Sequence, residues 1–472
     1  MIVNAENRRK RKESQVAEMA KLTCYMHENR ERIRVAVRMA WPSVLESFFV
    51  ALTGLIDSLM VSRIGSYAVA AVGLTTQPKF LGLALFIALY VSVSAMIARR
   101  RGERDKRGAN QALMMALLFT LGAGAVLSVL CVVLANPIIR LCGSEADTHA
   151  GAVLYFQIIM GCMLFNIISL VINAAQRGAG NTKIAMKTNV TSNIVNMMGN
   201  YLLINGHFGF PALGIKGAAI ATIFGTVLAC IMSIRSLFKK DSFVSIPYML
   251  KERLRPSLAP VQSMVKISSS VFTEQVLMRI GFVSTAVMAA KLGTAAMAAH
   301  QVGMNIMSLS FSFGDGMQAA AVALIGKNLG EKRPDEAVKY GNICQRIGNI
   351  ISIVLSMVYL LAGRFLYHLF FEEEEIIALG ILIMRLMVVI VLLQVAQVIY
   401  MGCLRGAGDV MFTMAASTFS VTLVRTGVSY FMGYMLNLGL IGVWMGIAGD
   451  QLSRFLLTTW RFKSGKWTKV KL

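Results

Sequence analysis

The stretch A-W-P-S-V-L-E-S-F-F-V-A-L-T-G-L-I-D-S-L-M-V-S-R-I-G, residues 40–65, decides the fold. It is apolar enough and long enough to cross a bilayer, for which about 20 residues suffice. Yet it carries Glu46 and Asp57. A carboxylate at membrane depth costs roughly 2.5–3.5 kcal/mol on insertion scales, so such residues are functional candidates by default. The two acids are eleven residues apart, three helical turns plus about 20°, and therefore share a face. Thr53 lies on that face one turn before Asp57, so the helix turns a polar stripe towards something other than lipid.

The stretch also returns. Sliding the chain by 228 places Glu46 on Glu274, Met60 on Met288, Gly65 on Gly293, Gly102-Glu103-Arg104 on Gly330-Glu331-Lys332, and Arg177-Gly178-Ala179-Gly180 on Arg405-Gly406-Ala407-Gly408. Further on the offset is 225, where Leu213-Gly214 meets Leu438-Gly439. One structural unit is used twice, an internal symmetry common among transporters.

Composition agrees. With 56% hydrophobic residues and a mean hydropathy of +0.63, the 472-residue chain is far more apolar than a soluble domain. The fold class expected is all-α integral membrane, with twelve transmembrane helices in two six-helix lobes. The net charge of +23 would point to nucleic acid in a soluble protein; here the basic residues alternate with apolar spans, which is the positive-inside pattern. No nucleic-acid partner is expected. Seven Cys without a C-x-x-C pair argue against a disulfide framework or zinc.

The expected organisation is a basic tail over 1–38, with Arg8, Arg9, Lys10, Arg11 and Lys12 clustered; an N-terminal lobe over 39–237; a linker over 238–264; and a C-terminal lobe with a basic tail over 265–472. Spans are expected near 37–61, 69–97, 112–135, 151–174, 184–204 and 213–237, then near 265–290, 297–325, 342–366, 376–402, 411–435 and 439–461. Basic residues follow every even-numbered span, in clusters as at Arg99-Arg100-Arg101, Lys239-Lys240 and Lys463 to the end, or singly as at Arg405. The opposite side keeps scattered Arg63 and Arg140 with Glu145, Asp147 and the Glu372 to Glu375 run. Both termini are thus expected in the cytoplasm of a prokaryote whose cytoplasmic membrane the chain spans repeatedly. Six spans per half give both copies the same orientation, so the repeats are parallel and a cleft between them is the expected substrate path.

No phosphate-binding G-x-x-x-x-G-K-[ST] loop, G-x-S-x-G or H-E-x-x-H occurs, which argues against an ATPase, a membrane hydrolase or a protease. An ion gradient is the natural energy source. Comparing the halves shows where it could act. Asp57 falls on Thr285, and Asn196 and Asn200, one turn apart on a helix face, fall on Val424 and Val428. The first half has no Arg or Lys deep in a span to neutralise Asp57 or Glu46. The second half has Arg279 and Arg425 beside Glu274, Asp315 and Asp450, read as structural ion pairs, with Asp450 and Arg454 one turn apart. Asp57, Asn196 and Asn200 are accordingly the ion-coupling candidates, and Glu46, Thr53 and Glu274 the candidates for a cleft or gate.

The Ile56-Asp57-Ser58 stretch ahead of Gly65, the Leu292-Gly293 to Ala298-Ala299-His300-Gln301 stretch, Gly330-Glu331 and the Leu404-Arg405-Gly406-Ala407-Gly408-Asp409 turn resemble the multidrug and toxic compound extrusion (MATE) family. The resemblance covers nearly the whole chain from Trp41. It implies a two-lobed, twelve-helix antiporter, not an enzyme, that exports amphipathic, often cationic drugs or metabolites in exchange for H+ or Na+. No cofactor is implied beyond that coupling ion. The partners implied are a small-molecule substrate and membrane lipid, and the chain is expected to act as a monomer. By position, Asp57 matches the family's acid in the first helix, Asn196 and Asn200 its polar pair in the fifth, and Thr222 a hydroxyl of the sixth. The acids of the NorM branch in helices seven and ten align with Met278 and Gln394, Glu274 lying one turn before Met278. Gln394 joins the cleft candidates. The alternative transport reading is a lipid-linked oligosaccharide flippase of the same superfamily; the alternative of another class is a membrane enzyme or scaffold.

Overall fold

Helices begin at positions that repeat along the chain. In the computed structural model, which describes residues 30–470 apart from 55, 58, 62, 63, 145, 240 and 241, α1 runs Arg30–Val61 and α2 Ser66–Gly102. They are followed by α3 (Lys106–Val133), α4 (Ala135–Leu141), α5 (Ala146–Gly161), α6 (Met163–Gly178), α7 (Thr182–Asn205) and α8 (Gly214–Ser236). The second series is α10 (Ala259–Lys291), α11 (Thr294–Gly330), α12 (Pro334–His368), α13 (Glu374–Ala407), α14 (Val410–Thr418), α15 (Thr426–Tyr430) and α16 (Gly439–Lys463), with the short α9 (Ile246–Lys251) between the two. α2 and α11 start and end 228 residues apart, as Ser66 and Thr294, Gly102 and Gly330; α3 and α12 also start 228 apart, and α8 and α16 start 225 apart. The described residues contain no strand. The fold is two six-helix lobes related by the internal repeat.

Among the described residues seven helices, α1, α2, α3, α8, α10, α12 and α13, are each long and apolar enough to cross a bilayer, and α5 with α6, bent by 46°, makes an eighth. The remaining segments are more polar, as α7 is with its asparagines, or broken, as the eleventh span is. The Arg8 to Lys12 cluster, Ser58, Arg63, Glu145, Lys240 and the Lys471 side of the tail lie outside the described residues, as does the side chain of Asp147.

Four departures from the sequence reading have physical causes. α1 already includes Arg30, ahead of the expected 37, and Arg32 reaches Glu336 of α12 at 2.8 Å, tying this end of the helix to the second lobe. The fourth span is not one rod but α5 and α6. In the eleventh, α14 and α15 are each followed by a π-helical stretch, over Phe419–Arg425 and Phe431–Met435. The linker is anchored as well: the Asn110 amide of α3 donates to the Phe243 carbonyl (3.0 Å) and accepts from the Ser245 backbone N–H (2.9 Å).

The lobes meet where α2 and α11 end, and glycine permits the contact. A Cβ on Gly102 would lie 1.9 Å from the Lys327 carbonyl oxygen, and one on Gly330 would lie 2.1 Å from that of Arg99. Since Arg99 and Lys327 are also 228 apart, the axis relating the repeats passes between these glycines. Gly330→Ala is expected to destabilise the protein by about 1–3 kcal/mol, the usual cost of overpacking. Gly427→Ala, where a Cβ would meet nothing within 4 Å, should melt like the parent in detergent.

Candidate functional site

Asp57 sits on α1, and its Oδ1 accepts a hydrogen bond from Asn200 Nδ2 of α7 at 2.7 Å. The same amide donates to Asn196 Oδ1 at 2.9 Å, one turn back on α7. The three residues predicted to act together are therefore in contact. Asn200 is buried and its Oδ1 has no partner, so the group offers carboxylate and amide oxygens in one place. Thr53 and Thr222 do not join them through hydrogen bonds. Each hydroxyl donates to its own helix, to Phe49 O (2.7 Å) and Ala218 O (2.9 Å).

One residue here went unread in the sequence. Lys79 of α2 lies within electrostatic reach of Asp57, so the statement that the first half has no cation for this acid is corrected. Its signal was a lysine directly after Pro78 in an apolar span, at a place where the repeat has Met307.

Glu46 is corrected too. It is not unpaired: Arg177 Nη1 lies 2.6 Å from its Oε1, and Asn189 Nδ2 donates to the same oxygen at 2.5 Å. In the second lobe Arg405 Nη2 contacts both oxygens of Glu274 at 2.8 Å. Arg177 and Arg405 are 228 apart, as are Glu46 and Glu274, so the two Arg-Gly-Ala-Gly segments are more than cytoplasmic turns. Their first glycine allows α6 and α13 to pack closely on α2 and α11. A Cβ on Gly178 would lie 2.5 Å from Ser94 O, and one on Gly406 would lie 2.7 Å from Val322 O. The second glycine takes the left-handed backbone that ends the helix, at φ 82° in Gly180 and 87° in Gly408, a conformation open to glycine at little cost. The preceding arginine is thereby set onto the glutamate.

The predicted second-lobe pairs are partly rearranged. Asp450 lies 2.7 Å from Arg454 and 3.7 Å from Arg425. Arg425 is wholly buried, stacks over the Phe282 ring at 4.5 Å, and has no hydrogen-bond partner on any of its three nitrogens. Arg279 pairs with no acid among the described residues; its guanidinium lies over Phe80 of the other lobe at 4.4 Å. Glu274 is held by Arg405 rather than by Arg279, and Asp315 accepts from Gln318 at 3.2 Å. Gln394 is buried, with its Oε1 unpartnered.

These placements give a test of Arg425. Because Asp450 keeps Arg454 when Arg425 is removed, Arg425→Met should melt close to the parent. Arg454→Met takes away the nearer partner, and loss of one member of a buried pair costs about 3–5 kcal/mol. Thermal melts in detergent that reverse this order would assign the main charge balance to Arg425.

A family model described as MatE matches the chain twice, over residues 42–202 and 271–431. The chain belongs to this family, the MATE transporters. The two matched segments are the two repeats, each beginning within the first helix of its lobe. Among curated proteins, the chain is 25% identical over 435 residues to a "Probable multidrug resistance protein NorM" of Thermotoga maritima, covering 92% of both chains. It is equally identical to the "Uncharacterized transporter YisQ" of Bacillus subtilis, covering 91% of this chain and 94% of the relative. A crystal structure of a MATE protein in its straight conformation superposes with a TM-score of 0.85 at 25% identity, covering 92% of this chain and 97% of the other. This MATE chain is a multi-pass membrane transporter, not an enzyme.

Proposed function

We propose that this transporter exports amphipathic, mainly cationic drugs or metabolites in exchange for H+ or Na+, and that Asp57 carries the coupling ion. The observation carrying this reading is the Asp57–Asn200–Asn196 group, whose positions in the other repeat hold Thr285, Val428 and Val424. A site present in only one repeat is built for a task other than folding. The names of the NorM relatives support drug export. The distribution of basic loops supports cytoplasmic termini in a bacterial plasma membrane, and the chain is expected to work as a monomer surrounded by lipid.

Lys79 sharpens the exchange. With Asp57 ionised, the two charges offset one another and the site tolerates a cationic drug. Once Asp57 takes a proton or a sodium ion, Lys79 is left uncompensated and the site turns positive. That difference in affinity between two states is what an exchanger requires. The proton is the favoured ion, since Met278 and Gln394 supply no acids for a metal ion in the second lobe.

The expected result is that ethidium binds the detergent-solubilised protein more weakly as pH falls, and that Asp57→Asn binds it weakly at every pH. Ethidium affinity that stays flat with pH and sodium in the parent would move the coupling site away from Asp57. Movement of lipid-linked oligosaccharide but not ethidium would favour the flippase reading.

A further inference from the structure

Asp315 is the charge that breaks the symmetry of the lobe contact. The two Glu–Arg pairs repeat at 228 and each balances itself, but the position equivalent to Asp315 in the first lobe holds Ile87. Asp315 lies on α11 of the second lobe and lines a cavity of about 120 Å3 with Arg177 of the first lobe and Arg405 of its own. Ser43, Ser47, Ser94, Tyr90 and Gln318 complete the polar wall. Ser43 is buried, and its hydroxyl has no partner. Gln318 bridges the site, its Nε2 donating to Asp315 (3.2 Å) and its Oε1 accepting from Arg405 Nη1 (3.3 Å). Neither arginine comes within ion-pair distance of Asp315, because Glu46 and Glu274 hold them.

We propose that Asp315 is a second proton-binding site, distinct from Asp57, that controls how firmly the lobes are joined along α2 and α11. The titratable and charged groups around it are Arg177, Arg405, Glu46 and Tyr90, with Glu274 beyond Arg405. Ionised, Asp315 attracts Arg177 across the lobe boundary while sharing Arg405 with its own lobe. Protonated, it leaves two self-balanced Glu–Arg pairs, and its own attraction for Arg177 across the lobe boundary is gone. A proton therefore loosens this contact, and loosening on the basic-loop side is the move that delivers a proton inwards. The cavity is large enough for water and far too small for a drug, so the proton reaches Asp315 without the substrate following it. This goes beyond the Asp57 reading and requires no role for that residue.

The test is hydrogen–deuterium exchange of the full chain in lipid nanodiscs, read over residues 99–105 and 327–333 as protection relative to intrinsic exchange. In the parent, protection should fall on the order of tenfold from mildly alkaline to mildly acid pH, a typical coupling magnitude. Asp315→Asn should show the low value at both pH values, Asp315→Glu should keep the response, and Asp57→Asn should keep it as well. A parent without the response, an Asn variant that retains it, or its loss in Asp57→Asn would overturn the proposal. Should the Asn variant lose protection throughout the chain, the Glu variant decides, and a Glu variant without a pH response also overturns it. Failure of drug export by the parent would leave this readout unaffected.

Discussion

Asp57→Asn is expected to insert, fold and melt like the parent, yet to lose uphill drug export down to the rate of protein-free vesicles. The substitution keeps the shape of the side chain and an oxygen able to accept from Asn200, so the α1–α7 contact survives. It removes the ability to carry a proton or hold a cation, which no neighbouring group replaces. Downhill movement of ethidium along its own gradient should persist. Uphill export by this variant at the parent's rate would remove Asp57 from the mechanism, and Glu46, whose Oε1 is held by Arg177 and Asn189, would be the next acid to test.

Arg405→Met is expected to be among the most destabilising single changes in the second lobe. It strands Glu274, which is 1% exposed and whose two oxygens are both held by Arg405. Loss of one member of such a pair costs about 3–5 kcal/mol. Arg177→Met should cost less, since Glu46 keeps its bond from Asn189, whereas the equivalent position in the second lobe holds Ser417. Removing both partners, as Glu274→Met with Arg405→Met, should recover much of the loss because no buried charge remains. Thermal melts of the three variants check the order. Equal losses for Arg405→Met and Arg177→Met would mean that Asn189 contributes little.

The repeat made the fold legible in the sequence. Fixed offsets of 228 and 225 survive as helix starts because each lobe packs its own copy of the same unit. The Asp57–Asn200–Asn196 group was legible for a related reason: three polar side chains stood where the other copy has a hydroxyl and two valines. The partners of Glu46 and Glu274 were not. Arg177 and Arg405 lie at helix ends that read as turns, 131 residues from the acids they meet, and linear distance gives no sign of that contact. Lys79 itself was readable as a charge in an apolar span, but not its partner, since Lys79 lies on α2 and Asp57 on α1. The π turns of the eleventh span leave no signal in apolar periodicity, and the kink between α5 and α6 falls within an unbroken apolar run.

The central claim, export of drug driven by an ion gradient through Asp57, is tested most directly in vesicles containing the purified protein. Ethidium movement against its gradient is followed while a proton gradient and a sodium gradient are imposed separately. Uphill movement is predicted under at least one of them, with the proton gradient the more effective, and none under either with Asp57→Asn. Ethidium that moves only down its own gradient under both ions, or an Asp57→Asn protein that still moves it uphill, would contradict the account.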